Sequence, residues 1–411
     1  MPHIESIPAQ VFVSVMVCLA VFAGIQGVIA YLILWERKVV SWIQDRIGPN
    51  RVGPGGILQP IADGIKLFFK EDYIPALADR TLFILAPAFI IIPALIGWAI
   101  VPWGGVWNFP GWIVWGWLPI IGGAVIEPAA VHVAAAGEVS VGIVYVIATA
   151  SIGVYGVVLG GWASNSKFAF LGGLRAGAQM ISYEIPLGVS ILIVLLTVGS
   201  LRPDAIIAAQ TGGMWFAIAH PLAAILCFVA MLAEANRAPF DLAEAEQELV
   251  GGYHTEYSAM KWALFFFAEY GHMITSSAIF AVLFLGGWHL VPFMPQPVEG
   301  GLIAVLLKVL VFVIKVGLLI TFMMVVRWTL PRFRYDQLMN LAWRMLIPLS
   351  GLLLVGTSVL VYMGRTQWWW MLAMNLTLGA AIYVAQPILP RVRGSNEKVR
   401  LPGSRFFAPQ G

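Results

Sequence analysis

The sequence is poor in charged residues and poorer still in cysteine. Only 11% of its 411 residues are Asp, Glu, Lys or Arg, whereas a soluble domain carries roughly 25%. The two cysteines, Cys18 and Cys227, are too few for an iron–sulfur cluster, which needs about four thiolates. A glycine-rich dinucleotide fingerprint and a phosphate-binding loop are also missing. These absences exclude a soluble globular enzyme and a basic nucleic-acid-binding protein, and they predict a chain without its own iron–sulfur cluster, flavin or metal site.

The abundant feature is apolar sequence, since 60% of the residues are hydrophobic and the mean hydropathy is +0.86. A membrane-spanning helix needs about 20 mostly apolar residues, and nine stretches satisfy that requirement. They lie near residues 9–35, 80–102, 139–162, 176–199, 215–234, 261–286, 302–328, 345–363 and 368–389. We therefore predict an all-α polytopic membrane protein with a membrane domain at 1–390 and a basic tail at 391–411.

The positions of the basic residues predict which side of the membrane each loop faces. With nine spans and the N-terminus outside, most of the 24 Lys and Arg residues fall in inside loops and in the C-terminal tail. Cytoplasmic loops carry such an excess, so the basic loops and the C-terminus are predicted to be cytoplasmic. The Trp- and Pro-rich segment 103–137 is predicted to be a long outer loop or re-entrant element, because another span there would reverse this asymmetry.

The first inside loop joins a turn-rich run to a predicted amphipathic helix. Gly and Pro recur over residues 44–56, which is typical of turns. Helix-spaced polar residues then form one stripe of segment 57–71; they are Gln59, Asp63, Lys66 and Lys70. Such a helix either anchors the surface or roofs a cavity that opens to the lipid. In the second interpretation, Arg37 and Arg46 face the polar head of a ligand such as a quinone.

Acidic residues inside the predicted spans are the strongest functional signal. Glu184 and Glu269 lie well within apolar stretches, as does Lys315, and intramembrane ionisable groups are costly. Acids also crowd the predicted inside loop at 235–257, where they are Asp241, Glu244, Glu246, Glu248 and Glu256. One interpretation of these groups is a proton-coupling path. The alternatives are a solvated acidic loop for residues 241–248 and, for Glu184 and Glu269, static ion pairs with Lys315 or Arg175.

Four segments resemble one family, the quinone-site membrane subunits of bacterial respiratory complex I, which are its H-type subunits. The first is the run ERKVVSWIQDRIGPNRVGPGGILQPIADGIKLFFKED, and the others are residues 161–184, 233–270 and 327–339. The resemblance covers roughly residues 10–363. The outer segment 103–137 and the tail after about residue 390 depart from the family, and a ninth span occurs in only some of its members.

The resemblance implies roles for residues that match the family's motifs. The residues that it assigns to the quinone chamber are Glu36, Arg37, Gln44, Arg46 and Asp63. Those that it assigns to the proton-coupling path are Glu184, Glu234, Glu244, Glu246, Glu248, Glu256 and Glu269. We add Asp241 from its place in the acidic loop and Lys315 from its depth. Quinone, either ubiquinone or menaquinone, is implied as substrate.

The resemblance also implies a multisubunit enzyme of the bacterial plasma membrane, an NADH-quinone oxidoreductase. Expected partners are the hydrophilic quinone-site and iron–sulfur subunits, small and antiporter-like membrane subunits, and lipid, but no nucleic acid. NADH would be oxidised on partner chains, so this chain alone would hold no complete active site, and quinone reduction would drive proton translocation. One alternative is the homologous membrane subunit of an ion-pumping hydrogenase, which uses no quinone. Another is a secondary transporter, but the paired inverted repeats typical of transporters are not evident in this sequence.

Overall fold

The computed structural model describes residues 6–7, 9–109, 112–114, 124–126, 129–134, 139–211, 213–241, 250–290, 292 and 301–385. Its helices are α1 (Ala9–Ile43), α2 (Gln59–Phe69), α3 (Arg80–Ile96), α4 (Gly142–Ala163), α5 (Lys167–Val198), α6 (Pro203–Thr211), α7 (Phe216–Ala219), α8 (Pro221–Glu234), α9 (Ala259–Phe284), α10 (Leu302–Thr329), α11 (Tyr335–Leu341), α12 (Ile347–Tyr362) and α13 (Trp368–Ala385). Helices α11 and α12 join through a π-helical turn at Ala342–Leu346. The predicted amphipathic helix is α2.

Within the described residues, seven helical segments are long and apolar enough to cross a membrane: α1, α3, α4, α5, α9, α10 and the joined α11–α12. The other two predicted spans coincide with the shorter apolar helices α8 and α13. The predicted polytopic helical class is therefore confirmed. The predicted span at 215–234 is interrupted at His220, where the helix breaks between α7 and α8. Pro221 explains the break, because a residue before proline is sterically disfavoured in the α conformation.

Several spanning helices are longer than the sequence predicted. Helix α1 continues to Ile43, α5 begins at Lys167, and the segment that contains α12 begins at Tyr335. The predicted boundaries at 35, 176 and 345 were therefore wrong. Hydropathy locates the lipid-facing part of a helix, whereas backbone hydrogen bonding continues into the polar region beyond it. Helix α5 thus carries Arg175, which was predicted to lie in a loop.

Short strands, which the all-α prediction did not include, lie near the N-terminus and within the outer segment 103–137. They are β1 (Ser6–Ile7), β2 (Val106–Phe109), β3 (Trp112–Val114), β4 (Ala124–Ile126) and β5 (Ala129–His132). Strand β2 pairs antiparallel with β5, and β4 lies between β1 and β3. Strands therefore occupy much of the described part of 103–137, and the outer position of this element stays a prediction.

Glycines allow α3, α4 and α5 to pack closely. A Cβ at Gly156 of α4 would stand 2.3 Å from Cγ1 of Ile90, and one at Gly161 would stand 2.6 Å from the carbonyl oxygen of Ala169. Small residues let helix backbones approach in this way within membranes. The helices that carry the candidate site are therefore held by backbone contacts.

Replacing Gly161 with Ala tests this packing. We expect a destabilisation of about 1–3 kcal/mol, because the carbonyl of Ala169 belongs to the α5 backbone and cannot rotate aside. The measurement is the thermal unfolding midpoint of the purified protein. Gly188→Ala is the matched control, since nothing lies within 4 Å of a Cβ built there. Equal midpoints for the two variants would contradict the close-packing argument.

Candidate functional site

A buried carboxylate, Glu36, organises the inner end of the helices, meaning the end predicted to face the cytoplasm. Its side chain is 8% exposed. Nη1 of Arg237 lies 3.1 Å from Oε2, Nη1 of Arg327 lies 2.8 Å from Oε1, and the Tyr270 hydroxyl donates a 2.6 Å hydrogen bond to Oε2. Buried charges require this kind of compensation. One carboxylate therefore connects α1, α9, α10 and the chain that follows α8.

The same two arginines extend the cluster to two further acids. Nε of Arg237 lies 2.6 Å from Oε1 of Glu269. Asp241 is fully buried, with Nη2 of Arg332 at 3.2 Å from Oδ2 and Nη2 of Arg327 at 3.9 Å. We call this cluster the inner ionic network; its members are Glu36, Arg237, Asp241, Glu269, Tyr270, Arg327 and Arg332. It alternates acids and bases from α1 to the start of the acidic loop.

An apolar cavity of about 260 Å³ lies between α1, α2 and α9. Its polar groups are the Arg37–Asp63 ion pair, at 2.7 Å between Nη1 and Oδ2, and Gln59, whose amide donates a 2.8 Å hydrogen bond to Asp63. Side chains such as Leu67 and Phe267 form most of the remaining wall. This α1–α2–α9 cavity combines apolar walls with a few convergent polar groups, as small-molecule sites commonly do.

Two much smaller cavities, of about 40 Å³ each, lie within the helix bundle, and the first of them borders the inner ionic network at Glu269. Glu234 and His272 line both of them. We call the first the inner polar cavity; it is also lined by Glu269. We call the second the mid polar cavity; it is also lined by Thr149 and Thr275. Each has room for water, which needs at least about 10–15 Å³ and two to four polar partners.

Two aromatic side chains separate the α1–α2–α9 cavity from the inner polar cavity. Trp262 and Phe266 line both spaces, and their rings stack with centroids 5.2 Å apart. Phe266 also contacts Tyr270 edge to face at 5.0 Å. Phe266 thus contacts the inner ionic network through the residue that bonds to Glu36.

Glu184 lies half-way along α5 and is half-buried. The Ser151 hydroxyl of α4 donates a hydrogen bond to its carboxylate. Glu184 is also near enough to Glu234 for the two carboxylates to repel each other. The predicted acids Glu269, Glu234 and Glu184 therefore form a series that starts at the inner ionic network and continues into the bundle.

The predicted chamber residues occupy different sides of α1. Arg37 and Asp63 line the α1–α2–α9 cavity, and the adjacent Glu36 points into the inner ionic network. Arg46 instead donates a 2.7 Å hydrogen bond to Gln44, and it lines a separate groove along α1. The structure therefore places two of the five residues, Arg37 and Asp63, in the wall of the cavity. The other three do not line it.

The remaining predicted residues lie elsewhere. Glu256 is half-buried just before α9. Lys315 lies at the outer end of α9, where its Nζ donates to the carbonyls of Leu285 and His289 and stands 4.4 Å from the Trp215 ring centroid. The structure does not bring Lys315 to the acidic series. Glu244, Glu246, Glu248 and the tail 391–411 fall outside the described residues.

The cationic and aromatic partners of these acids were not predicted as site residues. Arg237, Arg327 and Arg332 served only to assign the sides of the membrane, and Tyr270 and His272 were passed over. Two signals could have identified some of them. Arg327 lies inside a predicted span, where a cation requires a partner, and His272 lies one helical turn beyond Glu269 on the same face.

The fold and site define a polytopic membrane protein with a buried ionic network beside an apolar cavity. The family described as NADH dehydrogenase matches residues 15–358. The chain belongs to this family, which confirms the resemblance. It is similar to the second H-type subunit of NADH-quinone oxidoreductase in Geobacter metallireducens, at 44% identity over 363 residues, 87% of this chain and 99% of the relative. It is also similar to the H-type subunit of NADH-quinone oxidoreductase in Rhodospirillum rubrum, at 45% identity over 346 residues, 84% and 93% of the two chains.

Proposed function

We propose that this chain is the membrane subunit of a proton-translocating NADH-quinone oxidoreductase. In this role it binds quinone in the α1–α2–α9 cavity and couples its reduction to the buried carboxylates. One observation carries the proposal: adjacent residues of α1 serve the two sites. Arg37 pairs with Asp63 at the cavity, and Glu36 holds Arg237 in the inner ionic network. The names of the relatives support quinone as the substrate.

The cavity suits the two chemical parts of a quinone. An isoprenoid tail favours apolar walls, and the carbonyl oxygens of the head group accept hydrogen bonds, which the Arg37 guanidinium can donate. The volume of about 260 Å³ is slightly below the roughly 300–1,000 Å³ range of small-molecule sites, so the cavity suits the head group and the first part of the tail. Gln44 and Arg46 lie beyond this cavity, so we assign them to the part of the chamber that faces the hydrophilic partner subunits.

Coupling follows from the short distances between charges. Reduction of a quinone takes up two electrons and two protons, and the electrons come from NADH through partner subunits. A change of charge beside Arg37 acts on Glu36, which shares Arg237 with Glu269. Such effects are strong in a medium of low dielectric constant. Proton affinity then changes along the acidic series toward Glu184.

We propose that the acidic loop supplies protons to this series. Asp241 already belongs to the inner ionic network, and Glu244, Glu246, Glu248 and Glu256 are assigned to the same role. Lys315 is assigned to the outer end of the path, because it lies at the outer end of α9. There it bonds to the backbone carbonyls of Leu285 and His289. In the proposed orientation, the N-terminus is outside and the basic loops and C-terminus are cytoplasmic, where the hydrophilic partners dock.

The quinone cavity can be tested by narrowing it. Ala263 lines the cavity from α9, and Ala263→Phe would place a ring in the space proposed for the substrate. We expect the KM for quinone to rise by about tenfold, the effect of losing about 1.4 kcal/mol of binding, because the loss falls on ground-state and transition-state binding alike. The measurement is NADH:quinone reductase activity of the complex purified through a tag on this chain.

Two controls keep this test specific. Ala263→Ser changes the same position without filling the cavity and should leave the KM unchanged. Oxidation of NADH by ferricyanide, a water-soluble acceptor, reports the hydrophilic partners and should be unchanged in both variants. A wild-type KM for Ala263→Phe would reject this cavity as the quinone site. Purification without flavin and iron–sulfur partners would reject the proposed function itself.

A further inference from the structure

His272 is a titratable residue that no step described so far uses. It lies on α9, one turn beyond Glu269, and it borders both the inner and the mid polar cavity. Its Nε2 atom is buried and has no hydrogen-bond partner among the described residues. Since buried polar atoms are normally satisfied, this nitrogen points to an unseen partner such as water.

The surroundings of Nε2 leave room for that partner. Gly153 of α4 lies opposite the ring, and a Cβ built there would stand 3.5 Å from Nε2. The absence of a side chain at Gly153 therefore leaves space beside the Nε2–Cε1 edge of the ring. In a neutral ring that carries its proton on Nδ1, Nε2 is a hydrogen-bond acceptor.

The titratable groups that face the two cavities come from three parts of the chain. Helix α8 contributes Glu234, helix α9 contributes Glu269, and the turn before α9 contributes Tyr253 and His254. The lining residues from α3, α4 and α5 carry no charge. His272 is therefore the titratable residue, other than Glu234, that borders both cavities.

We propose that His272 is a proton-relay residue between the inner and mid polar cavities, a role that rests on the proposed proton-coupling function. The O–H bond of protonated Glu234 breaks, and its proton passes through water to Nε2, which becomes N–H. That N–H bond then breaks, and the proton passes to a water molecule in the mid polar cavity. No electrons move in either step. The mid polar cavity contacts Leu187, one turn from Glu184 on α5, so the released proton is delivered toward Glu184.

Two substitutions test the relay in the intact complex reconstituted into vesicles. His272→Asn keeps a polar side chain at this position but cannot take up a proton. We expect it to lower quinone reduction and proton uptake together by about tenfold, less than the 10²–10⁴-fold typical of a positioned acid or base, because water can bypass the ring. Gly153→Ala fills the space beside the Nε2–Cε1 edge at ordinary contact distance and so crowds a water bound to Nε2, for which a smaller decrease is expected.

The controls separate a relay from a structural role. The amount of assembled complex and its NADH:ferricyanide activity should remain at wild-type levels, and Gly188→Ala should behave as the wild type. Wild-type turnover in His272→Asn, with Glu234→Gln impaired, would overturn the relay and leave the carboxylate path intact. Wild-type turnover in both would overturn the proposed path as well. If His272→Asn does not assemble, Gly153→Ala decides: unchanged turnover there contradicts the relay.

Discussion

Replacing Glu36 with Gln is expected to destabilise the protein more than any other single change discussed. Glu36 neutralises Arg237, whose side chain is 3% exposed, and Arg327, which is 16% exposed. The variant leaves both guanidinium groups buried without their shared carboxylate. Breaking a buried pair by removing one partner costs about 3–5 kcal/mol, so the yield of assembled complex and its thermal midpoint should both fall.

A partly exposed ion pair provides the comparison. Asp72 pairs with Lys261 at 2.8 Å; the side chain of Asp72 is 52% exposed and that of Lys261 is 13% exposed. Surface pairs contribute only about 0–1 kcal/mol, and water screens this pair from the Asp72 side, so Asp72→Asn should lower the midpoint less than Glu36→Gln. If Glu36→Gln and Asp72→Asn had the same thermal midpoint, the inner ionic network would not stabilise the fold more than a surface ion pair does.

Glu234→Gln and Glu184→Gln should have the largest effects on activity. Glu234 borders both polar cavities, and its carboxylate and that of Glu184 repel each other. An amide of the same shape can hydrogen-bond but cannot exchange a proton. We expect quinone reduction coupled to proton uptake to fall by about 10²-fold, the lower range for loss of a positioned acid or base.

The same preparations show whether this loss is specific. Complex assembly and NADH:ferricyanide activity should be unchanged, because neither substitution touches the hydrophilic partners. Glu71→Gln is the control, since Glu71 is an exposed acid just after α2. Proton uptake at the wild-type rate in both Glu234→Gln and Glu184→Gln would show that the acidic series does not conduct protons.

The depth of the acidic residues in the membrane could be predicted from the sequence, but their ion-pair partners could not. The apolar stretches located the nine helical segments, and counting along them placed Glu184 and Glu269 inside the bundle. The partners of the acids depend on how distant helices rotate against one another. Glu36 and Arg327 lie 291 residues apart in the chain, and no local pattern indicates that they touch. The alternative of static ion pairs named Lys315 or Arg175 as the cation, whereas the structure pairs Glu269 with Arg237.

Adjacent residues of the first matching segment, Glu36 and Arg37, face different sites. The reason lies in the geometry of the helix. Consecutive residues of a helix point about 100° apart, so Glu36 faces the bundle and Arg37 faces the cavity. Arg46 lies beyond the end of α1 and meets Gln44 instead. The break at His220 was predictable from Pro221, whereas the strands of the outer segment depend on pairing between distant stretches such as β2 and β5.

Lys315 has a mechanical consequence for α9. The last carbonyls of a helix lack internal partners, and a cation near them is favourable. Lys315 from α10 occupies this position beside Leu285, at the outer end of a helix whose apolar window is 72% buried. Lys315 therefore ties the outer end of α9 to α10. We expect displacements caused by a change of charge near Glu269 to fall on the inner end of α9, which lacks this tie.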